Sequence, residues 1–77
     1  LDYFALTDDV SINELRLPYS WAGKSLVQLG IRTRYGVSVI AIKRGEKMIV
    51  AIDPNSALEQ GDVLVLLKRA DQRPLSR

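Results

Sequence analysis

The chain has 77 residues and a net charge of +2, from 11 basic and 9 acidic side chains. This length holds one small domain, whose core stays modest unless a partner enlarges it. The chain has no Cys and no His, which excludes disulfides and thiolate metal sites and removes the commonest general base. We therefore expect no enzyme, no metal and no cofactor. The charge is too weak to indicate a nucleic-acid partner.

The first part of the chain predicts a strand and then a helix. Residues 1–9 mix apolar and acidic side chains, and we interpret them as a linker or the end of an upstream segment, such as a short helix. Alternation over residues 13–17 predicts a half-buried strand that Pro18 ends. Ser20 is the expected N-cap of a helix of about two to three turns that Gly30 ends. One more turn is expected at 31–35.

Three strands are predicted after the helix, at residues 37–43, 47–52 and 62–68. A hairpin at Gly45 joins the first two, and the segment from Asp53 to Ser56 predicts a turn. Residues 57–60 are expected to form one helical turn, and residues 70–77 a flexible tail. The predicted fold class is α+β, a small β-α-β-β-β lobe with a three-stranded antiparallel core.

The three later strands are apolar on both faces. A sheet with one buried face alternates apolar and polar residues, but all of residues 39–42 are apolar. One helix covers only one face, and soluble monomers avoid a large exposed apolar patch. The pattern favours a homodimer. The alternative is that the termini and a short helix at 57–60 cover the second face.

Arg32 and Arg34 are the charges that most suggest a ligand. They lie between Gly30 and Gly36, beside Tyr35. A guanidinium group binds phosphate through two parallel hydrogen bonds. Taken alone, the same residues also fit an ordinary solvated basic turn.

Three motifs are shared with a known family: AGKSL at 22–26, IR-x-x-YG at 31–36 and GDVLV at 61–65. With them the chain resembles the TrkA-C domain, the C-terminal lobe of RCK regulatory subunits of bacterial potassium channels and transporters. The subgroup it resembles most is the KtrA-type gating subunit. The resemblance implies a TrkA-C (RCK_C) domain at residues 10–69, between the segment at 1–9 and the tail at 70–77.

The resemblance also implies a regulatory homodimer that binds cyclic di-AMP at its interface. Its other implied partners are an upstream RCK N-terminal domain and a membrane potassium channel or transporter subunit, hence a cytoplasmic location at the inner face of the membrane. Arg32 matches the position that contacts the phosphates. Arg34 stands where the subgroup often has a small residue, and Ser38 stands where it often has Asn. The ligand-binding residues implied in this way are Leu26, Val27, Arg32, Arg34, Ser38 and Pro54.

Two other functions remain open. A purely structural dimerisation lobe of an RCK subunit or another ion transporter has the same fold and no ligand of its own. A weak nucleic-acid binder would use Arg32, Arg34, Lys43 and Arg44, but the three later strands carry no aromatic side chain on which bases could stack.

Overall fold

Five antiparallel strands form one sheet in the computed structural model, which describes residues 3–69. The strand order is β1-β2-β5-β3-β4, so the last strand in the sequence lies at the centre. The strands are β1 Tyr3–Ala5, β2 Val10–Arg16, β3 Ser38–Arg44, β4 Lys47–Ile49 and β5 Val63–Arg69. The predicted tail at 70–77 lies outside the described residues.

The helical part of the chain is divided into short pieces. A 3-10 turn at Tyr19–Trp21 precedes α1 at Leu26–Leu29 and α2 at Ile31–Tyr35. The prediction of one helix capped by Ser20 is wrong, because Gly23 has a φ of +86°, outside the helical region. The prediction that Gly30 ends a helix and that one turn follows is confirmed, with Gly30 left-handed at a φ of +61°.

The true N-cap of α1 is Ser25. Its Oγ accepts a hydrogen bond from the Gln28 N–H at 3.1 Å, and the Ser25 N–H donates to Gln28 Oε1 at 2.8 Å. This reciprocal capping box satisfies two backbone donors that a helix start leaves unpaired. The sequence contains its signature, a serine followed three residues later by glutamine, but the apolar spacing of residues 22, 26 and 29 suggested an earlier start.

The core lies between the helices and one face of the sheet. Leu64 and Leu66 of β5 are almost fully buried on this face, against Ile31 and Val37. Because successive side chains of a strand alternate between faces, the remaining apolar residues of β5 point to the opposite face. The other buried members of the core are Leu17, Ile42 and Leu58.

Two segments differ from the sequence prediction. Residues 3–5 are a strand and not a linker or helix, and Phe4 lies opposite Ile12 of β2. Residues 57–60 form no helix, because Leu58 bonds elsewhere: its N–H donates to Lys24 O at 2.9 Å and its carbonyl accepts from the Gly23 N–H at 2.8 Å. The predicted hairpin at Gly45 is confirmed, but β4 ends at residue 49 and not 52.

The sheet face away from the helices, here called the outer face, is partly covered by an ion pair. Lys43 of β3 lies opposite Val63, and Glu14 of β2 lies opposite Val65, with β5 between the two strands. Lys43 Nζ nevertheless lies 3.2 Å from Glu14 Oε2, so the pair spans the central strand. The lysine stem covers apolar surface while its ammonium stays wet. The outer face is therefore less open than the two-sided apolar pattern predicted.

Candidate functional site

A groove of about 420 Å³ lies between the two α-helices, the start of β3 and the turn that contains Pro54. Five of the six residues that the resemblance implied line it, namely Leu26, Val27, Arg32, Ser38 and Pro54. The other lining residues are Gly30, Ile31, Thr33, Val37, Val39 and Ile52. Arg34 does not line the groove. The fold thus brings together residues from four separate segments of the chain.

The wall formed by α1 is attached to the wall formed by Pro54. The Val27 N–H donates to Pro54 O at 3.1 Å, so one of the free amides at the start of α1 is satisfied by the opposite wall. The capping box at Ser25 fixes the direction of the same helix end. These two anchors hold the groove at a set width.

The turn that carries Pro54 is held by its own side chains, as the sequence predicted. Asp53 Oδ1 accepts from the Asn55 N–H at 2.9 Å, and Asp53 O accepts from the Ser56 N–H at 3.0 Å. Pro54 adds a fixed φ between these bonds. The apolar ring of Pro54 is therefore presented to the groove by a turn of defined geometry.

Gly30 sets the course of the chain between α1 and α2. A methyl group added to it would meet Thr33 Oγ1 at 3.2 Å and the Arg34 side chain at 3.6 Å. The Thr33 hydroxyl also donates to Gly30 O at 3.1 Å. Arg34 thus packs along the helix connection, while Arg32 reaches the groove.

The groove is mostly apolar, with one cation and two hydroxyl side chains among its lining residues. Ile31 and Val37, both almost fully buried, form its floor, and Val27 is exposed at its mouth. Arg32 is the only charged residue among those that line it, and no carboxylate does. Apolar walls with one guanidinium suit an anion that also carries a flat apolar group, because the walls can bury the group while the guanidinium binds the anion.

A second charged cluster lies at the opposite end of the sheet and is structural. Arg44 donates to both carboxylate oxygens of Asp62, and its Nη1 lies 3.2 Å from Glu59 Oε2. The hydrogen bonds from Arg44 lower the pKa of the Asp62 carboxyl from its ordinary 3.8, although burial acts in the opposite direction. A further bond from the Glu59 N–H also stabilises the carboxylate.

Two of the four cations named for a nucleic-acid surface are engaged in ion pairs. Arg44 is paired with Asp62, and Lys43 is paired with Glu14 across the outer face. Arg32 lies beside the groove, on α2 and not on β3. A surface that follows a phosphate backbone needs several cations that point the same way.

Sequence reasoning missed several of the residues that line the groove. Val37 and Val39 belong to an apolar run that predicts only a buried strand, and Thr33 carries no motif of its own. Within residues 3–69, no cluster of side chains suited to a metal ion occurs. The same stretch contains no helix of the length and apolar character that crossing a bilayer requires.

Comparison with known proteins gives a family match and two curated relatives. A model of the TrkA-C domain matches residues 14–72. Ktr system potassium uptake proteins C and A of Bacillus subtilis (strain 168) are 36% and 31% identical over 67 residues. Those residues are 87% of this chain and 30% of each relative, so the chain spans about a third of their length.

Two solved structures share the fold. The RCK C domain of the potassium transport protein KtrA, in complex with cyclic di-AMP, is 42% identical with a TM-score of 0.78, over 86% of this chain and 78% of that one. The RCK_C domain dimer of S. agalactiae BusR, also with cyclic di-AMP, is 30% identical with a TM-score of 0.61, over 71% and 75%. These matches confirm the predicted α+β fold class.

Proposed function

We propose that this chain, which belongs to the TrkA-C domain family, is the regulatory domain of a bacterial potassium-transport subunit and binds cyclic di-AMP in the groove beside Arg32. The observation that carries the proposal is the lining of the groove, where one guanidinium lies among mostly apolar residues. Two relatives of the same fold, 42% and 30% identical, are known with this ligand bound.

One groove has the chemistry to bind one half of the ligand. Cyclic di-AMP has two phosphates and two adenines related by a two-fold axis. One groove offers one cation, Arg32, and one apolar cleft between Val27 and Pro54, which suits one phosphate and one adenine. A second copy of the chain supplies the other half, since a symmetric ligand meets two identical half-sites across a two-fold axis. The ligand-bound form is therefore a homodimer.

The mechanism is a shift between conformations and not a reaction. A ligand that holds two lobes in one relative orientation stabilises that orientation by its differential affinity. In the longer relatives the lobe is attached to further chain, so the same shift would reach an upstream RCK N-terminal domain and a membrane potassium channel or transporter at its cytoplasmic side.

Calorimetric titration with cyclic di-AMP tests the proposal. Two Arg32 side chains meet each ligand, and a hydrogen bond to a charged group contributes about 1.5–3 kcal/mol. Arg32→Ala should therefore weaken binding by about two orders of magnitude or more. Arg34→Ala is the matched control, because Arg34 does not line the groove, and it should bind almost as wild type does.

Circular dichroism should show that both variants are folded, and AMP and inorganic phosphate serve as ligand controls. Equal affinity of wild type and Arg32→Ala would refute the phosphate contact. If folded wild type binds no cyclic di-AMP, the alternative holds, a structural dimerisation lobe without a ligand of its own. Ser38→Asn then asks whether the shorter side chain at this lining position is the cause.

A further inference from the structure

Thr33 is a polar lining residue of the groove to which the proposed phosphate and adenine contacts give no role. It is exposed, and it directly follows Arg32 in α2. Its hydroxyl donates to Gly30 O at 3.1 Å, which is its one hydrogen bond within residues 3–69. A hydroxyl has one proton to donate and two lone pairs that accept. Because the proton of Thr33 is engaged, this hydroxyl offers only an acceptor to a molecule in the groove.

Gly30 leaves the Thr33 oxygen open to the groove. Both residues line the groove, and a methyl group at Gly30 would lie 3.2 Å from Thr33 Oγ1. The glycine therefore keeps clear the space beside this oxygen. Gly30 O also accepts from the Arg34 N–H at 2.7 Å, so the carbonyl that orients the hydroxyl is held by the backbone of α2. The acceptor at Thr33 thus has a defined direction.

Hydrogen bonds connect Thr33 to both parts of the groove that the proposed ligand uses. The Gly30 N–H donates to Val27 O at 3.1 Å, and Gly30 O accepts from the Thr33 hydroxyl. Arg32 is the residue before Thr33. The order along this wall is therefore apolar residue, acceptor, cation. A nucleotide has the matching order of base, sugar and phosphate, so an adenine at Val27 and a phosphate at Arg32 bring the sugar to Thr33.

We propose that Thr33 makes the groove selective for a ribonucleotide by accepting a hydrogen bond from the ribose 2′-hydroxyl. This inference rests on the proposed function, since it needs a nucleotide in the groove. A deoxyribose has no 2′-hydroxyl, so an acceptor beside the sugar distinguishes the two forms of the same ligand. The deoxy form leaves the Thr33 oxygen without a partner once water is displaced, and such an acceptor costs affinity.

Ser38 is the other hydroxyl of the lining and does not offer the same selectivity. It belongs to β3, and its hydroxyl makes no hydrogen bond within residues 3–69. A hydroxyl that is free to rotate donates to one partner and accepts from another, so it tolerates both kinds of group. Only Thr33 combines a fixed polarity with a position next to the guanidinium.

Calorimetric titration with cyclic di-AMP and with its 2′-deoxy analogue, cyclic di-dAMP, tests the inference. Wild type should bind cyclic di-AMP about tenfold more tightly, because each ligand meets two Thr33 side chains and each neutral hydrogen bond adds a few-fold. Thr33→Val keeps the branched shape and removes the hydroxyl, so the ratio of the two affinities should fall towards one. Thr33→Ala should repeat this result, and Thr33→Ser should keep the wild-type preference, since serine also bonds back to the preceding turn.

The ratio of affinities separates the sugar contact from a general effect of the substitution. If Thr33→Val and Thr33→Ala, shown folded by circular dichroism, weaken both ligands by the same factor, the ribose contact is wrong while the proposed function stands. An unchanged ratio with unchanged affinities has the same meaning. If folded wild type binds neither ligand, the proposed function and this inference both fail. A preference that Thr33→Val abolishes and Thr33→Ser retains supports the contact.

Discussion

The guanidinium of Arg44 and the carboxylate of Asp62 form two parallel hydrogen bonds, from Nε to Oδ1 at 2.9 Å and from Nη2 to Oδ2 at 2.8 Å. Asp62 is only 1% exposed, and its backbone carbonyl accepts from the Leu17 N–H at 2.9 Å. One residue thus joins the end of β3, the start of β5 and the exit from β2. The groove lies at the other end of β3.

Arg44→Ala should lower the free energy of unfolding by about 3 kcal/mol, near the lower end for a buried ion pair that loses one partner. The reason is that the Asp62 carboxylate remains buried with its two strongest donors removed. Urea unfolding followed by circular dichroism measures the change. The double variant Arg44→Ala/Asp62→Ala should be less destabilised than the two single changes added together, and simple additivity would show that the pair is uncoupled.

The Arg44–Asp62 pair makes the stability of the fold depend on pH. Because the folded pKa of Asp62 is lowered, its stabilising effect is complete above the unfolded pKa of about 4 and is lost as the pH falls towards the folded value. Wild type should therefore be more stable than Asp62→Asn at neutral pH, and the difference in Tm should shrink as the solution becomes acidic. A difference that stays constant through this range would contradict the assigned ionisation.

Two substitutions at Lys43 separate two contributions to stability: the ion pair with Glu14, and the apolar surface of β5 that the lysine stem covers. Lys43→Met keeps a long apolar stem over β5 and removes the ion pair, whereas Lys43→Ala removes both. A partly exposed ion pair contributes about 1 kcal/mol at most, so Lys43→Met should change stability little and Lys43→Ala more. If denaturant titrations gave the same decrease in the free energy of unfolding for both variants, the lysine stem would not contribute to stability by covering β5.

The start of α1 offers a test with an internal control. Ser25→Ala removes one half of the capping box and should cost about 1 kcal/mol. Ser20→Ala alters the exposed serine that sequence spacing suggested as the cap, and it should be neutral within about 0.5 kcal/mol. Thermal unfolding of both variants distinguishes them. If Ser20→Ala were the more harmful change, the helix would begin earlier than the structure shows.

Local patterns in the sequence were enough for most of the fold. Alternation predicts β2, and continuous apolar runs predict β3 and β5. Turn chemistry predicts the hairpin at Gly45 and the turn at Asp53. Each prediction depends on residues close together in the chain. The family resemblance then named five residues that the groove brings together, from Leu26 to Pro54. These two sources give different information. The local pattern predicts the helices and strands, whereas the family resemblance predicts which of their residues lie together at the groove.

Tertiary contacts decided what local patterns could not. The segment at 57–60 reads as a helical turn, but Leu58 is held by the loop at Gly23 and Lys24, bonds that no local rule contains. Residues 3–5 become a strand only because β2 offers a free edge. The local pattern does not distinguish Arg34 from Arg32, yet only Arg32 lines the groove, since Arg34 packs beside Gly30. Sequence spacing sets which residues are available, and long-range packing selects which of them share a surface.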